Sequence, residues 1–174
     1  RGIALAVPPD RLEEVRSWSF GVPLWAVPGG ETRQASVAAA LDALPAAPDA
    51  PVLIHDGVRP FPPAGPILEA LQALEHHDGA LLGEPSTDTL KRVDGSGLVL
   101  GTEPRTEIFR AQTPQVALLS VWRRAFRNAR ALGIAGTDDV SLLEALGLRV
   151  KLVASPPSNL KLTTPEDWKL APRG

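Results

Sequence analysis

The 174-residue chain has no cysteine. Disulfides, thiolate nucleophiles and cysteine–zinc sites are therefore excluded, and the absence agrees with a reducing, cytoplasmic setting. Methionine is absent too, and Arg1 runs at once into Gly2-Ile3-Ala4-Leu5-Ala6-Val7, which reads as a buried strand. Domains seldom begin so abruptly on a core strand, so residues upstream of Arg1 are expected to be missing. No apolar run reaches the roughly 18–20 residues needed to span a bilayer, and no charged-then-apolar signal peptide opens the chain. The net charge is only −2. A balance so close to neutral gives no general basic field for nucleic acid or an acidic membrane. Phosphate binding would have to come from a local cluster.

The hydrophobic fraction of 44% is enough for a sizeable core, and the length indicates one domain over residues 1–174. Short apolar runs at Ile3–Val7, Val22–Val27, Pro51–His55, Gly79–Gly83 and Val150–Val153 read as strands. The continuous run at Pro51–His55 has the character of a central parallel strand. Helical spacing marks Ser36–Leu44, Pro66–His76, the Arg-rich Leu118–Leu132 and Asp139–Leu146, and Asp10 is placed to cap a helix through Trp18. Thr164-Pro165-Glu166-Asp167 has the form of a capping box opening a last helix. Strands alternating with helices predict an α/β domain with a mostly parallel sheet. Residues 87–109 break the alternation: Leu90 and Val93, the turn Asp94-Gly95-Ser96-Gly97, then Leu98–Leu100 predict an antiparallel hairpin leaving the main sheet.

In open α/β sheets ligands bind beyond the carboxyl ends of the strands, and polar clusters stand at several of those ends. In Gly29-Gly30-Glu31-Thr32-Arg33-Gln34-Ala35-Ser36 the glycines permit close backbone approach, and Arg33 and Ser36 sit at a helix N-terminus that favours anions; an ordinary glycine turn and cap is the plainer reading. In His55-Asp56-Gly57-Val58-Arg59-Pro60 the Asp56 carboxylate is placed to hold Mg²⁺ or a ribose hydroxyl, and Arg59 to pair with Asp56 or with phosphate. A structural ion pair is the equal alternative, and His55 reads as a partly buried hydrogen-bonding residue. Thr89, Lys91 and Arg105 are candidates for a second anion. Gln112-Thr113-Pro114-Gln115 is dense in hydrogen-bonding groups and ends before a helix, with a turn and cap as its plainer reading, and Thr137-Asp138-Asp139 is most economically a helix cap. Lys161, between Leu160 and Leu162, faces away from both if the segment is a strand, which suggests a fixed cation at the sheet edge. His76-His77 lacks a third metal ligand.

Taken in order, Gly29-Gly30-x-x-Arg33-Gln34-x-Ser36-Val37, His55-Asp56-x-x-Arg59-Pro60, Asp88-Thr89-Leu90-Lys91, Arg105 ahead of Gln112-Thr113-Pro114-Gln115, Thr137-Asp138-Asp139 and Asn159 to Asp167 form a pattern. Over about Ile3 to Ala171 the chain resembles the 2-C-methyl-D-erythritol 4-phosphate cytidylyltransferases of the non-mevalonate isoprenoid pathway. The resemblance implies a Rossmann-like three-layer nucleotidyltransferase fold and a homodimer joined by the hairpin arm. It implies CTP contacts from Gly29, Gly30, Glu31, Ser36, Asp56 and Arg59, with Mg²⁺ at Asp56. It implies that Thr113, Thr137 and Lys161 hold methylerythritol phosphate, that Thr89 and Arg105 reach it from the partner chain, and that Lys161 and Arg105 act in catalysis. The family opens on a strand and a glycine-rich loop bearing Arg and Lys. No Gly-x-Gly-x-Arg segment precedes Gly2, so these 174 residues alone are expected to be nearly inactive. The competing readings are a ribitol 5-phosphate cytidylyltransferase and a non-catalytic remnant of the fold.

Overall fold

The computed structural model describes residues 1–170, so Ala171 lies outside the described residues. Strand β1 (Ile3–Val7) pairs in parallel with β2 (Leu24–Pro28), with a short helix α1 (Leu12–Arg16) between them. Asp10 caps nothing, because it falls inside a 3₁₀ turn, Pro9–Arg11, that Pro9 has already begun. Helix α2 (Arg33–Ala43) starts three residues before the Ser36 indicated by its apolar spacing. Thr32 Oγ1 accepts the Ala35 N–H at 3.1 Å. The first turn is thus fixed by capping chemistry, to which apolar periodicity is blind.

After β3 (Pro51–Ile54) come α3 (Ala64–Gln72), β4 (Gly79–Pro85), β5 (Lys91–Val93), β6 (Val99–Thr102), β7 (Phe109–Leu118), α4 (Leu119–Leu132), α5 (Val140–Glu144), β8 (Val150–Ala154) and α6 (Asp167–Leu170). The main sheet has the order β3-β7-β4-β8. Strands β3, β4 and β8 point one way and β7 runs against all three, so the sheet is mixed. Two segments differ from the sequence expectation. Pro51–Ile54 is an outer strand of this sheet, paired antiparallel with β7; an apolar run reports burial, not the direction of its neighbour. Gln112-Thr113-Pro114-Gln115 is no turn but part of β7. Leu81 faces Gln115 whereas Leu82 faces Gln112, so Thr113 and Pro114 bulge out of the ladder.

Helices cover both faces. On one, α2, α4 and α5 enclose Leu41, Ile54, Ala117, Trp122, Phe126, Leu142 and Leu143; on the other, α3 seats Ala70 against Ala80, Leu82, Val116 and Val153. Helix α4 buries Trp122, Ala125, Phe126 and Ala129, a spacing that aligns one helical stripe. The Trp122 indole N–H donates to the Val52 carbonyl at 3.1 Å. Arg123 donates to the Leu41 and Leu44 carbonyls at the C-terminal end of α2, where a cation is favoured. Gly133, at φ 65°, ends α4 in the left-handed conformation that glycine adopts without strain. The β5–β6 hairpin forms its own antiparallel pair, its turn fastened by Asp94 Oδ1 accepting from the Ser96 and Leu98 N–H groups. No described helix is long and apolar enough to cross a membrane.

Helix α2 packs on β1 and β2 and also on α4, so the small sheet and the main sheet share one covering helix. Ala4–Ala6 of β1 and Val52–Ile54 of β3 line a cavity of about 400 Å³ between them. Among the described residues no strand ladder crosses that cavity. Backbone amides with ladders on both sides open least. In native-state hydrogen exchange, β4 and β7 should therefore be protected at least about tenfold more than β1 and β3. Equal protection of all four strands in a protein of these 174 residues would contradict this ranking.

Candidate active site

The carboxyl ends of β2 and β3 lie together, because Arg33, just beyond β2, reaches Asp56, just beyond β3. Arg33 Nε donates to Asp56 Oδ1 at 2.9 Å, while its two terminal nitrogens donate to the Asp139 carboxylate at 2.9 and 2.7 Å. Lys161 Nζ stands 3.2 Å from the other Asp56 oxygen. Segments remote along the chain thus meet at one carboxylate that is only 12% exposed. Arg59, expected to pair with Asp56 or with phosphate, makes a long ion pair with Asp56, its Nε 3.9 Å from Oδ2, but no hydrogen bond to it. Arg59 instead donates through a terminal nitrogen to the Asn159 carbonyl at 2.7 Å.

The charges respond to this packing. Burial pushes the Asp56 carboxyl up, but Arg33 and then Lys161 outweigh it and hold the group below its ordinary value. Burial works against the charge on Arg33, yet Asp139 and Asp56 together leave the guanidinium above its usual value. Burial raises the Asp139 carboxyl, opposed by Arg33. Arg59 is lowered by burial, against the pull of Asp56 and Glu84.

Lys161 sits in a loop, not on the strand expected for it. The alternation still holds, because the loop is pinned on both sides of it. The Leu162 N–H donates to the Val58 carbonyl at 2.8 Å and the Leu162 side chain is buried. The Asn159 amide, fully buried, donates to Gln112 Oε1 at 2.8 Å and the Thr113 carbonyl at 2.9 Å. Lys161 is left half exposed between these anchors, facing Asp56.

The Thr113 bulge meets the same loop. Thr113 Oγ1 accepts the Asp56 N–H at 3.0 Å and lies 3.1 Å from His55 Nδ1, while His55 Nε2 lies 2.8 Å from the Arg59 carbonyl. A carbonyl only accepts, so Nε2 carries a proton, and in the neutral ring Nδ1 then accepts from the Thr113 hydroxyl. Both nitrogens of His55 are committed, which bears out its reading as a hydrogen-bonding residue, though it is exposed rather than partly buried. Ser36 Oγ accepts the Gly30 N–H and donates to the Thr32 carbonyl, each at 3.0 Å. A Cβ on Gly30 would lie 2.5 Å from that of Ala35, so the close approach at this glycine is to α2 itself. Gly29 packs beside Ser36, and Glu31 is exposed.

Three expected site residues stand apart in this chain. Thr89 and Arg105 lie at the root of the hairpin, where Arg105 donates to the Thr87 carbonyl at 2.9 Å, and neither lines the cavity that Asp56 and Lys161 line. Thr137 is exposed in the loop before α5. Of the two acids after it, Asp138 does the capping, accepting the Ser141 N–H at 2.9 Å. Asp139 does not cap, and the sequence reading missed it, together with the pairing of Arg33. One signal was available: two adjacent acids precede a helix, and only one can cap it.

Asp56 ionises more readily in the fold than an ordinary carboxyl. Its contribution to stability is therefore complete above the unfolded value of about pH 4 and is lost as pH falls through the folded value. The melting-temperature difference between wild type and Asp56→Asn should shrink as pH drops from about 7 to about 3. A difference that is constant over that range would contradict the ion cluster.

Comparison with known proteins gives one answer. The model of the family described as IspD, 2-C-methyl-D-erythritol 4-phosphate cytidylyltransferase, matches residues 1–173. A 2-C-methyl-D-erythritol 4-phosphate cytidylyltransferase of Geotalea uraniireducens is 43% identical over 95% of this chain and 71% of its own length, and one of Acidobacterium capsulatum is 38% identical over 96% and 73%. The crystal structure of the Thermus thermophilus enzyme of that name superposes with a TM-score of 0.81 at 34% identity, covering 97% of this chain and 79% of that one. The 4-diphosphocytidyl-2C-methyl-D-erythritol synthase of Anaerococcus prevotii gives 0.88 at 30%, over 98% and 79%. With an α/β layer, the Asp56 cluster at its strand ends and a match along nearly its whole length, the chain belongs to the 2-C-methyl-D-erythritol 4-phosphate cytidylyltransferase family.

Proposed function

We propose that this chain transfers the cytidylyl group of CTP to 2-C-methyl-D-erythritol 4-phosphate, giving 4-diphosphocytidyl-2-C-methyl-D-erythritol and pyrophosphate for isoprenoid precursor synthesis. A phosphate oxygen of the acceptor forms the new bond to the α-phosphorus of CTP. The bond from that phosphorus to the bridging oxygen breaks, and its electron pair leaves with pyrophosphate. The nucleophile is already an anion at neutral pH, so no general base is needed; the commitment of both His55 nitrogens accords with this. The chemical difficulty is to bring two anions together and to stabilise charge at phosphorus, which preplaced cations do.

The observation that carries the reading is Lys161 held 3.2 Å from Asp56, both lining the cavity beside β1 and β3. In this reading the nucleotide binds at the mouth of that cavity, where Ser36 and Asp56 line it, with Gly29, Gly30 and Glu31 on the adjoining loop before α2 and Arg59 beside Asp56. Lys161 stabilises charge at the reacting phosphate, and Thr113 beside Asp56 orients the acceptor, with Thr137 reaching it from the exposed loop before α5. Asp56 suits Mg²⁺, which is commonly held by one or two carboxylates, water and substrate phosphates rather than an all-protein cage. Among the described residues no group of three or more acidic or histidine side chains is placed to form such a cage. When bound there, Mg²⁺ would neutralise triphosphate charge.

The reading also includes a homodimer through the hairpin. Val93, Leu98, Val99 and Leu100 are all more than half exposed on it, an apolar patch suited to a second copy of the chain. Arg105 and Thr89, away from the Asp56 cluster of their own chain, would then serve the neighbour's acceptor.

Assayed on the whole protein, turnover of Mg–CTP should be seen with methylerythritol phosphate and not with ribitol 5-phosphate; turnover confined to ribitol 5-phosphate would overturn the acceptor assignment. Lys161→Ala should lower kcat by about 10²–10³ with the fold intact by circular dichroism, and full activity in that variant would contradict its role. Mixing inactive Arg105→Ala and Lys161→Ala proteins should restore roughly a quarter of wild-type activity, because each re-paired dimer regains one intact site. No recovery on subunit exchange would count against a shared site.

A further inference from the structure

We infer that Asp139 is a positioning residue: it grips the terminal nitrogens of Arg33 so that Nε is presented to Asp56, which fixes the Asp56 carboxylate at the edge of the substrate cavity. The inference deepens the proposed reaction and rests on it only for the word substrate; the geometry itself is independent of turnover.

Asp139 is 2% exposed. A carboxylate buried that deeply is costly unless paired and hydrogen-bonded. Its partner is a two-pronged contact from Arg33, the geometry that most restricts a guanidinium. Arg33 is the first residue of α2, and a cation at a helix N-terminus is disfavoured by the helix dipole. Its place there is explained by the two carboxylates it bridges.

The Asp139 carboxylate is not required to hold its own loop. Gln34 fastens residues 134–136, donating to the Ile134 carbonyl at 3.1 Å and accepting the Gly136 N–H at 3.0 Å. Gln115, buried on β7, accepts the Val140 N–H at 2.8 Å and donates to Asp138 at 2.9 Å. Asp138 secures the start of α5. With the backbone on both sides already tied, the carboxylate of Asp139 is left for Arg33. The consequence reaches Asp56: Oδ1 is taken by Arg33, and Oδ2 is turned toward Lys161.

The test is NMR of the Arg33 side chain in the folded protein, read without any assay of turnover. In wild type the Arg33 Nε–H should exchange slowly with water. In Asp139→Asn exchange should be at least about tenfold faster, and Asp139→Glu, which restores the charge, should return it to within about threefold of wild type. Unchanged exchange in Asp139→Asn would overturn the inference, since Arg33 would then hold Asp56 unaided. Should Asp139→Asn not fold, Asp56→Asn decides. The Arg33 terminal nitrogens should stay resolved and slow to rotate there, because Asp139 still grips them; their collapse to one averaged signal would show that Asp56, not Asp139, orders the guanidinium.

Discussion

A carboxylate drawn mostly out of water is tolerated only among cations and hydrogen-bond donors, and the architecture around Asp56 meets that requirement. Arg33 comes from the helix after β2, Lys161 from the loop after β8, and the Asp56 N–H is taken by Thr113 from β7. Each of these contacts spans a large separation in sequence. Together they hold the carboxyl ends of β2 and β3 and the loop after β8 at one point, the sheet edge where α/β proteins place ligands.

The antiparallel course of β7 makes this possible. Lying between β3 and β4, it puts a bulge at Thr113 against the residue that follows β3. Asn159 then bonds to the same bulge and brings Lys161 with it. Local irregularity in one strand thereby becomes the fixed reference for two loops. The ion cluster is largely self-contained, with Asp139 balancing Arg33 from the buried side. Lys161, half exposed, is the cation with freedom to meet an incoming phosphate.

Much of this could be read from the chain, and the failures have physical causes. Strands β1, β4 and β8, the long helix α4 and the hairpin were legible because apolar runs, a helical stripe and an Asp-Gly turn are local signals. The capping box at Thr164 and Asp167 was legible for the same reason, each residue accepting a backbone N–H of the other. Strand direction was not, because Pro51–Ile54 is equally apolar beside a parallel or an antiparallel neighbour. The Gln112–Gln115 segment looked like a turn because its polar side chains are satisfied by Asn159, Asp138 and His55 far along the chain. In the site, residue type and position singled out Asp56 and Lys161, and the fold sets them 3.2 Å apart. The Arg33–Asp139 pair was not legible, since a two-pronged contact between residues 106 positions apart names neither partner locally and leaves only a surplus acid before α5 as its trace.

The central claim is that Asp56 and Lys161 face a single reacting phosphate. A crystal structure with CTP and Mg²⁺ tests it most directly. The account predicts Lys161 Nζ within about 3 Å of an α-phosphate oxygen, with the metal on Asp56. Nucleotide bound away from both residues, with Lys161 still on Asp56, would contradict it.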